Sequence, residues 1–191
     1  NAMGGAVNVI TRKPQKKLSG QAGLEYGTYN TMGGKLLLSG RLNDSIDRGF
    51  YWDLNGRYLQ SDGYITQSEA DQAANPYIVK SNMKEWSGGA KLGYDFKANN
   101  YAEINFIAFN DRQGTGEQVY QPEGNTTDHD TYHARAKYHG EEGRSKWDAN
   151  VFYIDEHYKK VNEYMKDDYT LYDVLSKRID FGGLMSYSRR I

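Results

Sequence analysis

Asp128-His129-Asp130, followed by His133, sets two carboxylates and two imidazoles within six residues. Imidazole plus carboxylate suits several divalent metals. The plainer reading of the same residues is a polar loop running into a strand, and on that reading no metal and no cofactor is expected. Arg112, Glu117 and Tyr120 border the same stretch, and a guanidinium or a phenol can grip ligand oxygens. Arg112, Tyr120, His129 and His133 are the candidate binding residues. They flank one long connection and offer a charged donor, a phenol and two imidazoles to an oxygen-rich anionic ligand.

Other chemistries find little footing. Gly114-Thr115-Gly116 is too short for a phosphate cradle and no helix start follows it. The carboxylate pairs Glu141-Glu142 and Asp167-Asp168 stand in turn or loop sequence, where charge solvates the chain, so no acid/base pair can be nominated. The serines have no companion His-Asp arrangement. With no cysteine, thiolate nucleophiles, Cys-ligated metals and disulfides are all excluded. No enzyme is expected. Asn125-Thr126-Thr127 matches a glycosylation sequon by chance. A net charge of −1, from 24 basic and 25 acidic residues, gives no electrostatic case for nucleic acid.

The elements that must position these residues are strands. Hydrophobic residues make up 38% of the 191, low for a dry core, yet 17 residues are Tyr, 21 are Gly and only 3 are Pro. Aromatics in such number argue against disorder, and scarce Pro with abundant Gly fits extended segments and tight turns. From Phe50, one face reads Phe50, Trp52, Leu54, Gly56, Tyr58 and the other Tyr51, Asp53, Asn55, Arg57. That is a period of two. It recurs from Trp86 to Phe96, from Ala102 to Ala108 and from Tyr132 to Tyr138, with less contrast elsewhere. Eight strands are expected, at about 18–27, 32–42, 50–61, 83–96, 101–112, 131–140, 147–155 and 179–190. Most are near the roughly 9 to 11 residues that a tilted strand needs to cross a bilayer.

Both faces exclude an ordinary sandwich. Asp53, Arg57, Lys91, Glu103, Arg135 and Lys137 place charges at strand middles, which cannot pack against a second apolar layer without a large desolvation cost. They are expected to face a watery lumen. On the opposite face Trp52, Leu54, Leu92, Ile104, Ala134 and Val151 are expected to meet lipid. Aromatics gather near the strand ends around an aliphatic band, the arrangement a lipid-facing wall requires, with Phe106 an exception. Connections alternate, short at 43–49, 97–100 and 141–146 and long at 62–82, 113–131 and 156–178, only the first, at 28–31, breaking the rule. This predicts an all-β, antiparallel, up-and-down transmembrane β-barrel, here as a fragment of about eight strands.

Ahead of the first strand stands Asn1-Ala2-Met3-Gly4-Gly5-Ala6-Val7-Asn8-Val9-Ile10-Thr11-Arg12-Lys13-Pro14. This resembles the end of the plug domain of TonB-dependent outer-membrane receptors. Gly23 to Thr31 resembles that family's first barrel hairpin, and Arg57 to Tyr64 the end of its third strand. The resemblance implies residues 1–14 as plug, 15–17 as linker and 18–191 as the first part of the barrel. It further implies the outer membrane of a Gram-negative bacterium, with lipid and lipopolysaccharide as surroundings. The implied activity is uptake of a scarce solute, foremost an iron-siderophore or haem-type chelate, energised by TonB through a segment that lies upstream of Asn1. For such a chelate Arg112, Tyr120, His129 and His133 would be the contacts. The competing expectation is a complete small eight-stranded barrel with an adhesin or structural role; the plug-like opening argues against it. A barrel enzyme would need a nucleophile and base near one rim, and the sequence offers neither.

Overall fold

The computed structural model describes residues 13–42, 48–165 and 168–190. The plug-like stretch therefore lies outside the described residues, apart from Lys13 and Pro14. Eight strands form one antiparallel sheet in sequence order: β1 (Ser19–Gly27), β2 (Thr31–Arg41), β3 (Gly49–Tyr64), β4 (Ser81–Lys97), β5 (Asn100–Gly114), β6 (Thr126–Glu142), β7 (Ser145–Met165) and β8 (Tyr169–Arg189). Each strand pairs only with its neighbours in the chain, and β1 and β8 are free edges, so the sheet is not closed. The all-β, up-and-down order matches the sequence expectation. A helix of six residues, α1 (Glu69–Ala74), capped by Ser68, interrupts the connection between β3 and β4. Among the described residues no helix is long and apolar enough to cross a membrane.

Strand lengths are where the sequence expectation is corrected. β6 begins at Thr126 rather than about 131, β7 runs on to Met165 rather than ending near 155, and β8 begins at Tyr169 rather than about 179. The expected long connection at 156–178 is instead the upper half of a hairpin, paired without interruption from Glu156↔Arg178 to Met165↔Tyr169. The connection expected at 113–131 shrinks to 115–125, and that at 62–82 to 65–80. The short connections 98–99 and 143–144 are as expected; most of the one at 43–49 lies outside the described residues.

Register sorts the side chains as the alternation demands. On one face Leu54 pairs across to Ala90, Ala90 to Phe106 and Phe106 to Ala134, and one row below Leu92 pairs to Ile104, Ile104 to Ala136 and Ala136 to Val151. Aromatics bound this band on both sides. Phe50, Tyr94, Phe96 and Tyr138 follow one another at ring separations of 4.7, 5.0 and 6.3 Å along the short-turn end, while Tyr58 pairs with Trp86 at the other end. Leu92 and Ile104 are each 63% exposed and Val151 58%. Among the described residues only Tyr51 and Ala108 are buried apolar side chains. A soluble domain holds its fold by burying such residues; this sheet presents them outward.

The other face is polar. It curls into a trough of about 830 Å³ lined by Asp53, Lys91, Glu103, Arg135, Lys137 and Asp148 among others, contributed by β3 through β7. Arg57 Nη1 donates to Glu85 Oε1 at 2.9 Å and Arg135 Nε to Asn150 Oδ1 at 2.7 Å. Large rings lie across glycines of the neighbouring strand. Tyr51 covers Gly93 so closely that a Cβ there would stand 2.1 Å from its ring, and Trp147 covers Gly140 in the same way. Such aromatic–glycine pairs fix register, because sliding the strand by one residue would drive a side chain into the ring.

Candidate functional site

The four sequence-nominated residues are divided by the sheet. Arg112 shares the parity of Ile104, Phe106 and Ala108 on β5 and so projects on the side of the apolar band. Its guanidinium holds Asp128 through Nε and through Nη2, the latter at 3.1 Å, and reaches Glu123 through Nη1. Its charge is thus satisfied from within the protein. His129 and His133 have the opposite parity and project on the trough side with Glu103 and Arg135. Tyr120 lies in the 115–125 connection, 68% exposed, its ring 4.9 Å from that of Tyr169.

The metal reading of Asp128-His129-Asp130 with His133 fails by the same alternation. Asp128 and Asp130 point to one face, held by Arg112 and Asn110, while His129 points to the other, where its Nε2 lies 3.2 Å from Glu156 Oε1. Among the described residues no group of three or more His, Cys, Asp or Glu could hold a metal ion. The parity was readable from Ile104 and Tyr132 by continuing the count of two upward from the apolar band.

What the structure brings together instead is a knot of loops at the long-loop end of the sheet. Glu163, fully buried near the tip of β7, accepts hydrogen bonds from the backbone N–H groups of Val119, Tyr120 and Gln121 and from the Tyr169 hydroxyl. Burial opposes its ionisation, but these donors outweigh that effect and hold its carboxyl below the usual glutamate range. Asn125 clasps the same residue from the other side, accepting from its N–H at 2.6 Å and donating to its C=O at 3.1 Å. Glu117 joins the two connections, its carboxylate accepting from Asn75 at 3.2 Å and from Asn125 at 3.3 Å. Backbone bonds from Gln118 to Tyr77 and from Val79 to Gly116, at 2.9 and 3.0 Å, complete the joint. Glu163 and Asn125 carried no sequence signal: their partners stand about 40 positions away, and nothing periodic links them.

A second cluster closes the short-turn end of the trough. Asp95 accepts from Lys13 Nζ at 2.6 Å and from Arg41 Nη2 at 2.7 Å, Tyr51 donates to Glu103 at 3.2 Å, and the Lys13 ammonium sits 3.6 Å from the centre of the Tyr101 ring. Lys13, the last basic residue of the plug-like stretch, is thereby pinned to the sheet wall. Compared with known protein families, curated proteins and solved structures, the chain matches none.

Proposed function

We propose that this chain forms part of the wall of an outer-membrane β-barrel receptor, in a Gram-negative bacterium, that captures a scarce solute at its outer loops and takes it up with energy relayed by TonB. The observation that carries the reading is the two-faced sheet: an outward aliphatic band between two aromatic belts, backed by a charged trough. In water that band would drive aggregation, and in a bilayer it is the required surface. Short connections at one end and the 65–80 and 115–125 connections at the other support the orientation, with the knotted loops outside. The free edges of β1 and β8 support a larger barrel, since a complete one leaves no open strand. The pinning of Lys13 supports a junction between an interior segment and the wall.

Lipid and lipopolysaccharide are the proposed surroundings. Just beyond the Tyr58–Trp86 belt, Lys84 and Lys159 flank a shallow recess on the apolar side and make no ion pair with any described residue, which suits anionic headgroups of an outer leaflet. An iron chelate, the solute the resemblance implies, would meet His129 and His133 on the trough side but not Arg112.

Single-cysteine variants of the full-length protein test the wall directly. I104C and V151C should resist water-soluble maleimide and, once labelled with a membrane-permeant thiol-reactive fluorophore, be quenched by brominated lipid, whereas E103C and R135C should do the reverse. Equal labelling of all four by the aqueous reagent would sink the membrane reading. Growth on a ferric chelate as sole iron source that does not depend on this protein and on TonB would remove the iron reading and leave the barrel.

A further inference from the structure

The knotted loops enclose a recess of about 410 Å³ between the 65–80 connection, the 115–125 connection and the tip of β7. Pro76, Tyr77, Val119, Tyr164 and Met165 supply its apolar and aromatic wall, and Glu117 its charge. Tyr164 and Met165, adjacent residues of opposite parity at the end of β7, both reach it. Its walls are pre-set rather than loose, because the hydrogen bonds of Glu117, Asn125 and Glu163 tie all three segments together. A cavity of this size with few, fixed polar groups has the dimensions of a small-molecule site.

Its charge is one-sided. Glu117 is half-buried, its hydrogen bonds come from neutral amides, and it makes no ion pair with any described residue. The hydroxyls of Tyr77 and Tyr164 make no hydrogen bond among the described residues. Around the recess the two connections carry Glu69, Asp71, Glu117 and Glu123 against Lys80, with Glu123 compensated by Arg112. A partly desolvated carboxylate with no cation beside it among the described residues, set among aromatic rings, attracts an organic cation twice over, by Coulomb attraction and by the ring quadrupoles. The same field repels an anion.

We propose that this recess binds an alkylammonium group, so that the solute presented to the loops carries a cationic head on an apolar body rather than an anionic chelate. The inference deepens the uptake reading by naming the charge class of the solute, and it places that head on Glu117 with Tyr77 and Tyr164 as its aromatic neighbours.

Choline, its uncharged isostere 3,3-dimethylbutan-1-ol and ferric citrate, titrated calorimetrically into the full-length protein in lipid nanodiscs, test the proposal. Choline should bind at least ten times more tightly than the isostere and weaken as salt rises, and ferric citrate should not compete. E117Q should lower choline affinity at least tenfold, and Y164L, a change at a 45% exposed side chain that the fold tolerates, severalfold, with Y164F close to wild type. Equal binding of choline and the isostere, unaltered affinity in both E117Q and Y164L, or no choline binding by correctly inserted protein would each overturn it. Choline binding by protein that fails the lipid-quenching test would instead overturn the membrane reading and leave this one standing.

Discussion

Glu163 is the side chain on which the 115–125 loop turns. Three backbone N–H groups and a phenol converge on a fully buried carboxylate, and its removal leaves all of these donors without their acceptor. E163A should therefore cost about 2 kcal/mol or more of loop stability, read as faster amide exchange at Val119, Tyr120 and Gln121. The pH dependence follows from the sign of the shift. A carboxyl held below the ordinary glutamate range stabilises the folded loop above that range, and the contribution disappears as pH falls through the depressed value. Protease nicking of 115–125 should rise on acidification in the wild type. In E163Q it should be high already and nearly independent of pH, and a wild-type profile in that variant would show that Glu163 does not hold the loop.

At the scale of the element, each strand is fixed by what it meets across the ladder. The ladder between β3 and β4 shifts between Ser61 and Tyr64, and Gly63 takes φ +67° there with its missing Cβ 1.6 Å from where the Ser81 carbonyl oxygen lies. Only glycine fits both the left-handed backbone and the contact. Gly63→Ala should break the last pair, Tyr64↔Ser81, and cost well over about 1 kcal/mol, with loss of exchange protection confined to that end of the strands. Uniform loss along β3 and β4 would show that the bulge sets their whole register. For the band, the proposed bilayer environment makes Leu54→Arg cost about 2–4 kcal/mol at the midplane; unchanged stability in lipid would place Leu54 elsewhere.

At the scale of the whole molecule, the described residues bury almost no apolar core and leave β1 and β8 each unpaired on one side. β8 is 21 residues long and exposed along nearly all of its length, a row of open backbone groups that invites a partner strand. Taken alone in detergent, this chain should associate through β8, giving a mass by light scattering that rises with concentration. A monomer at every concentration, with slowly exchanging amides along Tyr169–Arg189, would mean that the edges are satisfied in some other way.

The sequence by itself determined the strand order, the two faces and the direction of most side chains in the strand centres it located between residues 50 and 155, because alternation is local and one face is apolar where the other is charged. Trough-side Asp53, Lys91 and Arg135 against Leu54, Leu92 and Ala134 needed only a count of two. The tertiary structure alone decided the upper hairpin. Above the aromatic belt both faces of β7 and β8 carry polar residues such as His157, Lys159, Lys160 and Asn162, so the contrast that marks a strand vanishes while the hydrogen-bond ladder continues. It likewise decided the loop knot and its recess, since Glu117, Glu163, Asn75 and Tyr77 meet across gaps of about 40 residues. Long-range contacts of that kind leave no period in a sequence; only the register of the intervening strands brings them together.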